Sequence, residues 1–303
     1  MAKAMFCYEV SMEYFYYKIT EEYNGYTIRD ILNELHVGKN KINYFINNKC
    51  FYVNGENVSI DERLIENDYL MIDIENFEKI DYIPSVKKVD ILYEDEYILI
   101  VNKPKQIIIF PETKEENGTM ANIIAGLYES RQEEHAVRHA HRLDRDTTGC
   151  LVYAKDVITH SALSYMFENN EVKKEYLAIV ENKVKKDGCV KSLIGKDRHV
   201  NGKMAIVKNG KTAFTSYKVE KSFDNITLLK VKIKTGRTHQ IRVHLSSIGH
   251  PLLGDYLYGA VIQDIPRVML HSERVCFKHP ILGINVDVTA KVHKDMKKYI
   301  KNL

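Results

Sequence analysis

The residues most suited to chemistry lie in "RHAHRLDRDTTGCLVYAK", residues 138–155, where Asp144 stands between Arg142 and Arg145. Nearby cations favour the ionised form of a carboxylate. An ionised carboxylate suits a nucleophile or a base near neutral pH better than a general acid. The alternative is a loop carboxylate held in a salt bridge with the arginines. Asp146 is interpreted as a turn residue that leads into the Thr-Thr-Gly segment.

A second candidate segment is "KTGRTHQIRVHLSSIGHPLLGDYLYG", residues 234–259. Its pattern predicts a helix with Thr235 as N-cap and an end at Gly249. Arg237 then falls in the first helical turn, where the helix dipole disfavours a cation. An anion, either a carboxylate or a phosphate, should therefore compensate Arg237. The alternative is a basic helix that faces solvent.

The histidines do not have the spacing of a metal site. His139 and His141 are two residues apart, and His239 and His244 are five apart. Neither pair matches the i, i+4 spacing of helical zinc ligands, and no carboxylate motif accompanies them. We therefore expect no metal, and we interpret these histidines as hydrogen-bonded core residues or as RNA contacts.

The segment "VKKEYLAIV", residues 172–180, predicts a strand on which Lys174 and Tyr176 lie on the same side. Tyr176 is either a buried tyrosine at a sheet edge or an aromatic platform for a base. The loops between residues 173 and 211 are rich in lysine. These lysines form either a solvated basic surface or a set of phosphate contacts.

The charge is distributed unevenly along the 303 residues, although the net charge is only +3. Residues 1–80 carry 8 basic and 14 acidic residues, a balance of −6, so the remainder carries 36 basic and 27 acidic, a balance of +9. A polyanion should therefore bind mainly along the C-terminal part. Charge alone leaves both nucleic-acid binding and an ordinary cytosolic enzyme open.

Composition and the N-terminus argue against a membrane or secreted protein. No apolar run approaches the length of a spanning helix, and the first residues lack the pattern of a secretory signal. The five cysteines are odd in number, scattered, and without a C-x-x-C pair. This pattern predicts a reducing, cytoplasmic location and neither a disulfide framework nor a cysteine zinc site.

Two units are predicted along the chain. Residues 27–46 have the periodicity of two short helices, and "FYVNGENV" (51–58) followed by "DYLMIDI" (68–74) indicates a hairpin and a strand. We predict a small unit at 1–75, a polar linker at 76–88 and a larger domain at 89–303. The larger domain alternates strands and helices in mixed order, so we expect an α+β fold with a mixed, largely antiparallel sheet.

Together these segments resemble the RluA-type family of RNA pseudouridine synthases, over about residues 89–300. The resemblance is carried, in the family's order, by "LYEDEYILIVNKP" (92–104), "HRLDRDTTG" (141–149), "KKEYLAIV" (173–180), "KTGRTHQIRVHLSSIGHPLLGDYLYG" (234–259) and "VMLHSERVCFKHP" (268–280). Residues 15–75 resemble the alpha-L RNA-binding fold of the ribosomal protein S-four type. On that unit the resemblance implies an RNA-binding face with Arg29, Lys39 and Lys41.

The resemblance implies that a uridine in RNA is detached from its glycosidic nitrogen, rotated and rejoined through carbon-5. This isomerisation is redox-neutral, and the family uses neither cofactor nor metal. Asp144 matches the catalytic aspartate, Arg237 the arginine paired with it, and Tyr176 the tyrosine that stacks on the target base. Arg142 matches a residue that fills the gap left by the flipped base. Further RNA contacts are expected from Arg145, Lys174, His239, Gln240 and Arg242.

Four residues depart from the family's usual pattern. Thr148 replaces a serine and keeps the hydroxyl, Lys105-Gln106 replaces a small residue and glycine, and Phe110 stands where histidine is frequent. The changes at Lys105, Gln106 and Phe110 concern the substrate surface, because these residues lie away from Asp144 in sequence.

The expected substrate is large-subunit ribosomal RNA, with transfer RNA as the alternative, and the expected state is a monomer. Two other functions use the same residues: a non-catalytic RNA-binding or ribosome-assembly factor, and a hydrolytic N-glycosidase. The presence of Asp144, Tyr176 and Arg237 favours the synthase over the first. The family motifs favour it over the second.

Overall fold

The N-terminal unit is built around a small antiparallel sheet. The computed structural model describes residues 14–113, 116–223 and 225–302. Strands β1 to β4 are Tyr14–Lys18, Phe51–Val53, Glu56–Asn57 and Tyr69–Asp73. They pair in the order β1-β4-β2-β3. Helices α1 (Ile28–Glu34) and α2 (Lys39–Asn47) precede the β2–β3 hairpin, as the sequence predicts.

Local signals account for most of this unit. Thr27 caps α1 through a capping box with Asp30, which satisfies two backbone N–H groups at the start of the helix. The predicted Asn54-Gly55 turn joins β2 to β3, and both of its residues have positive φ. Strand β1 is not among the predicted elements, because the aromatic run "YFYYK" has no apolar–polar alternation that marks a strand.

The C-terminal unit is one 11-stranded sheet with helices against it. Its remaining strands are β5 (Asp90–Glu94), β6 (Ile98–Lys103), β7 (Arg138–His139), β8 (Thr148–Ala154), β9 (Lys173–Glu181), β10 (Gly188–Lys196), β11 (Met204–Ile206), β12 (Lys211–Phe223), β13 (Ile226–Ile233), β14 (Leu270–Lys278) and β15 (Asn285–Thr289). The helices are α3 (Met120–Ser130), α4 (Val157–Glu168), α5 (Gln240–Ser247) and α6 (Lys294–Asn302). Three short 3-10 helices span Glu21–Tyr23, Glu75–Phe77 and Tyr256–Tyr258.

The order of the large sheet is β11-β10-β12-β13-β9-β14-β8-β6-β5, with β15 beside β14 and β7 beside β8. The pairing of β14 with β8 is parallel, and the other pairings are antiparallel. The expected α+β fold with a mixed, largely antiparallel sheet is confirmed.

Both faces of the central strands are buried. On β6, Ile98 and Ile100 belong to one core cluster and Leu99 and Val101 to another, as the alternation of a strand requires. The first cluster includes α4 and the core of the N-terminal unit, and the second includes α3 and the β9 face that carries Tyr176. The N-terminal unit therefore packs on the opposite face of the sheet from α3.

The predicted linker is more ordered than its polar sequence suggests. Glu78 is buried, and its carboxylate accepts hydrogen bonds from the backbone N–H groups of Ala136 and Val157 and from Arg138. Ile80 and Tyr82 pack against the core of the C-terminal unit. The segment thus joins both units through buried contacts, although it has no regular structure beyond Phe77. The boundaries of the two domains stay a prediction.

Candidate active site

A cleft of about 1000 Å³ lies over the sheet of the C-terminal unit. Its lining comes from the segment between β6 and α3, the loop before β8, the end of α4, strand β9 and the segment that leads into α5. Asp144, Tyr176 and Arg237 all line it, so three segments that are 32 and 61 residues apart along the chain meet at one place.

The loop that carries Asp144 is a tight turn that leads into β8. The backbone N–H of Thr147 donates to the carbonyl of Asp144 at 3.1 Å. At the start of β8, Gly149 has φ +110°, and a Cβ there would come within 2.1 Å of the Ser272 carbonyl oxygen. Only glycine allows β8 to approach β14 this closely. The Thr148 hydroxyl lies 2.8 Å from His271 Nδ1, so the departure from serine keeps a buried hydrogen bond.

A buried lysine supports the same loop from below. Lys103, at the end of β6, has a solvent-exposed fraction of 0%. Its ammonium donates to the carbonyls of Arg145 at 2.8 Å, Thr147 at 2.9 Å and Pro104 at 3.1 Å. Burial lowers the pKa of Lys103 to about 7, while Asp146 and Asp144 act in the opposite direction. Because three carbonyls accept from Nζ, the bonding pattern requires the ammonium form.

An arginine holds the remaining carbonyl of the loop. Arg267 Nη1 donates to the Asp146 carbonyl at 3.0 Å, and its Nε and Nη2 bind the Asp295 carboxylate of α6, each at 2.9 Å. The Arg267 side chain is fully buried. Burial raises the pKa of Asp295, but its bonds to Arg267 and His293 outweigh burial and hold the pKa well below its usual range. Helix α6 is therefore tied to the loop of Asp144 through one ion pair.

Asp144 itself is paired with Arg242, not with Arg237. Arg242 Nη1 lies 3.4 Å from Asp144 Oδ2, and its Nε and Nη2 bind Asp255 at 2.8 and 2.9 Å. The guanidinium also lies 4.9 Å from the centre of the Tyr258 ring. Burial alone would lower the pKa of Arg242. The bonds to Asp255 and the charge of Asp144 outweigh burial, so the pKa is raised above its ordinary value. The guanidinium is therefore a fixed cation beside the Asp144 carboxylate.

The predicted pairing of Arg237 with Asp144 is wrong because the helix begins later than predicted. Thr235 does not cap it; its hydroxyl donates to the Gln240 side chain at 2.7 Å, and α5 begins at Gln240. Arg237 therefore precedes the helix, and its Nε donates to the Thr212 carbonyl at 3.1 Å. Among the ion pairs of the described residues, the partners of Asp144 are Arg242 and His239.

His239 stands beside the same carboxylate. It has φ 55°, in the left-handed region, immediately before α5. Its Nδ1 lies 2.9 Å from the Tyr258 hydroxyl and its Nε2 lies 4.0 Å from Asp144 Oδ2. Burial lowers the pKa of His239, against an opposing effect of Asp144. We infer a neutral ring that accepts from Tyr258 and presents its Nε2 proton towards Asp144. The expected RNA contact of His239 stays a prediction.

Tyr176 forms part of the buried floor of the cleft. It lies on β9 opposite Val231 of β13 and Ser272 of β14, and 5% of its surface is exposed. Burial raises the pKa of the Tyr176 phenol well above its ordinary value, and the nearby Asp144 adds to this rise. The phenol therefore stays protonated, so its ring is suited to contact a base, and its oxygen is not a ready proton acceptor.

The predicted base-replacing residue lies at the rim. Arg142 is exposed, and its guanidinium lies 5.5 Å from the centre of the Phe110 ring. That ring stacks on His139 with centroids 5.5 Å apart. Phe110, one of the departures from the family pattern, thus supports Arg142. Arg145 is exposed, with Asp146 3.7 Å away. RNA contact by both arginines stays a prediction.

Gln240 is a structural residue, so the prediction that it contacts RNA is wrong. It is 3% exposed, and its amide donates to the Phe214 carbonyl and the Thr215 hydroxyl. Its side-chain oxygen accepts from Thr235 and from the backbone N–H of Arg237. These bonds use the whole hydrogen-bonding capacity of the side chain.

The basic residues of the N-terminal unit are largely engaged. Arg29 forms two hydrogen bonds with Asp61, at 2.8 and 3.2 Å. Lys41 donates to the Ser161 hydroxyl of α4 at 3.0 Å, and burial lowers its pKa. Lys41 therefore contacts the other unit, and its predicted place on an RNA-binding face stays a prediction. Lys39 is exposed at the start of α2, and its RNA contact stays a prediction.

The sequence analysis missed Lys103, Arg267 and Asp255, which position the Asp144 loop or Arg242. The available signal for Lys103 was a lysine two residues after the apolar run "YILIV". Within the described ranges, no group of three or more histidine, cysteine, aspartate or glutamate side chains is placed to hold a metal ion. No helix in the described part of the chain has the length and apolar character needed to span a bilayer.

Comparison with known proteins identifies the family to which the chain is similar. A sequence model of the family described as RNA pseudouridylate synthase matches residues 97–247. A second model, described as the RluD ribosomal pseudouridine synthase N-terminal domain, matches residues 15–70. The RNA pseudouridine synthase YhcT of Bacillus subtilis is 38% identical, over 92% of this chain and 94% of its own length.

Two further relatives are similar over long stretches. Ribosomal large subunit pseudouridine synthase D of Yersinia pestis is 31% identical, over 94% of this chain and 93% of its own length. The solved structure of human RNA pseudouridylate synthase domain containing 1 has a TM-score of 0.58 and 27% identity, and covers 69% of this chain and 85% of its own.

The cleft with its held aspartate, the sheet around it and these similarities define an enzyme that isomerises uridine within RNA. The chain belongs to the RNA pseudouridine synthase family, and the expected RluA-type membership is confirmed.

Proposed function

We propose that this protein converts specific uridines of large-subunit ribosomal RNA to pseudouridine, with Asp144 as the catalytic carboxylate. The observation that carries the proposal is the placement of Asp144, in contact with Arg242, at the edge of an open cleft whose floor holds Tyr176. The Asp144 side chain is 28% exposed, so a flipped nucleotide can reach it. The similarity to proteins named as large-subunit pseudouridine synthases in Yersinia pestis and Escherichia coli supports the choice of RNA.

Each residue has a role in this reaction. The Arg242 guanidinium orients the Asp144 carboxylate and places a fixed positive charge beside it while the glycosidic bond breaks. Tyr176 packs against the uracil ring while the detached base rotates to present carbon-5. Arg142, at the rim beside Phe110, fills the space that the base leaves in the RNA, which offsets part of the cost of flipping. We assign to Arg242 the role that the sequence analysis gave to Arg237.

We also propose that the protein acts as a monomer in the cytoplasm. The sequence has no stripe that predicts self-association, and the four described cysteines are unpaired thiols. The ribosomal RNA named for the relatives supports the same compartment.

The test is modification of ribosomal and transfer RNA transcribed in vitro, which contain no pseudouridine, followed by mapping at single-nucleotide resolution. We expect pseudouridine at one or a few positions of the large-subunit RNA with the wild-type enzyme. Asp144→Ala should form none while it still binds the RNA. Pseudouridine confined to transfer RNA would contradict the proposed substrate. Free uracil in place of pseudouridine would contradict the proposed reaction.

A further inference from the structure

Lys174 is a buried cation that no described residue neutralises. It lies on β9 two residues before Tyr176, lines the cleft, and is 5% exposed. Within the described ranges, no carboxylate lies within 4.0 Å of its ammonium and no group accepts a hydrogen bond from it. The ammonium lies over the Phe167 ring, whose centre is 5.5 Å from Nζ. The other buried lysine of this region, Lys103, differs because three carbonyls accept hydrogen bonds from its ammonium.

The groups around Lys174 do not supply the missing negative charge. His141 stacks on Phe167 with centroids 4.4 Å apart, and its Nε2 accepts from the backbone N–H of Val152. Burial and, to a smaller extent, the charge of Lys174 lower the pKa of His141 to about 3, so the ring is neutral. Burial alone lowers the pKa of Lys174. Glu168 lines the same cleft, but it is exposed and beyond ion-pair distance.

An ammonium without acceptors is costly to bury, so such groups persist where a ligand supplies the anion. Lys174 lines the cleft, and the ligand of this enzyme carries one phosphate per nucleotide. Lys174 and Tyr176 are separated by about 7 Å along the strand. A single nucleotide spans that distance between its base and its phosphate.

We propose that Lys174 binds the phosphodiester next to the target uridine, and that this contact anchors the nucleotide whose base lies against Tyr176. The proposal rests on the proposed function, because it needs RNA in the cleft. It makes Lys174 a binding residue, separate from the Asp144–Arg242 pair that contacts the reacting nucleotide. The expected ligand is a non-bridging phosphate oxygen, recognised by charge and hydrogen bonding and not by base sequence.

The first experiment compares Lys174→Met with Lys173→Met. Lys173 is its neighbour on β9, exposed on the other side of the strand near Asp287, so both variants lose one charge. The probe is the large-subunit ribosomal RNA transcript, with affinity measured at several salt concentrations. We expect Lys174→Met to weaken binding about ten- to hundredfold and to reduce the slope of log affinity against log salt by about 0.7. Lys173→Met should stay within about twofold.

The second experiment removes the charge from the RNA. A synthetic oligonucleotide that spans the modified uridine carries one methylphosphonate, placed 5′ or 3′ to that nucleotide. At one of these positions, the substitution should weaken binding to the wild type and to Lys173→Met as much as Lys174→Met does. It should not weaken Lys174→Met further.

Two results would overturn the proposal: Lys174→Met binds RNA as tightly as the wild type, or it responds to the methylphosphonate as strongly as the wild type does. A wild-type enzyme that forms no pseudouridine in any transcript would instead contradict the proposed function. The salt dependence of binding to the transcript would still test Lys174 in that case.

Discussion

The basic residues of the N-terminal unit and those of the cleft have different surroundings. In the N-terminal unit, Arg29 is bound to Asp61 and Lys41 donates to Ser161 of α4. In the cleft, Lys174 has no acceptor among the described residues, and Arg142 rests on an aromatic ring at the rim. The presence of a lysine or an arginine therefore does not by itself identify an RNA contact. The cations left without protein partners are the better candidates.

The largest difference should be between the two arginines near Asp144. Arg242→Gln removes the cation that contacts Asp144 and leaves Asp255 buried without its partner. We expect single-turnover pseudouridine formation to fall by about a hundred- to a thousandfold, as for loss of one electrostatic stabiliser. Arg237→Gln should change the rate by less than about tenfold, since Arg237 bonds to a carbonyl of β12. Equal losses in the two variants would contradict the reassignment.

The next effect concerns the buried support of the Asp144 loop. Asp295→Asn leaves the buried Arg267 guanidinium without a full counter-charge, so the free energy of unfolding should fall by about 3–5 kcal/mol. We expect kcat to fall about tenfold with KM for RNA unchanged, because the change acts through the loop and not through a substrate contact. Chemical denaturation and steady-state kinetics at low temperature check this.

Asp287→Asn is the matched control for that change. Asp287 pairs with Arg274 on the exposed face of the sheet, so its loss should cost less than about 1 kcal/mol and leave kcat unchanged. If Asp295→Asn resembled this control in both kcat and stability, α6 would have no part in positioning Asp144.

Acid should destabilise the C-terminal unit more than the N-terminal unit. Burial lowers the pKa of five histidines of the C-terminal unit to about 3 or about 4; they are His135, His141, His160, His244 and His271. The unfolded chain binds protons at these positions below pH 6.5, but the folded chain does not. Their stabilising contribution is therefore present above pH 6.5 and is lost as the pH falls towards 4, by up to about 1.4 kcal/mol per pH unit for each.

Urea denaturation at pH 7.5, 6.0 and 5.0 tests this prediction. His271→Asn should reduce the slope of the free energy of unfolding against pH by the equivalent of about one bound proton. A free energy of unfolding that stays constant over this range would contradict the neutral state of the buried histidines.

The smallest effect is expected at the two lysines of α2. Lys39 is exposed, so Lys39→Met should weaken RNA binding about two- to threefold at low salt if this unit contacts RNA. Lys41→Met removes the same charge from the contact with Ser161, so binding should change less and the melting temperature should fall by a few degrees. Filter binding and thermal denaturation of both variants distinguish the two positions. A larger loss of affinity in Lys41→Met would contradict the comparison.

The sequence predicts most elements because their signals are local. The continuous apolar run in "YILIVN" and the Thr27 capping box are local signals that indicate β6 and α1. The partner of Asp144 could not be predicted in this way. Arg237 and Arg242 are five residues apart, so they project in different directions, and the start of α5 decides which one meets the loop. That start depends on the contact between Thr235 and Gln240, which no propensity encodes.

The residues that hold the Asp144 loop in place could not be predicted from the sequence either. Lys103 and Arg267 lie 164 positions apart, and their common function becomes visible when both are seen to hold carbonyls of one loop. A lysine and an arginine in a basic protein otherwise suggest surface charge. The burial of both is the tertiary information that sequence patterns lack.

The most direct test of the central claim is the rate at which tritium leaves carbon-5 of uridine in the ribosomal RNA, with Asp144→Asn compared to Asp146→Asn. Asp146 is the matched control, because it lies two residues away in the same loop and its side chain is exposed to a similar extent, 27% against 28%. The account predicts no tritium release above background with Asp144→Asn, RNA affinity within about threefold of wild type, and release within about tenfold of wild type with Asp146→Asn. Release by Asp144→Asn at the wild-type rate, or equal loss in both variants, would contradict it.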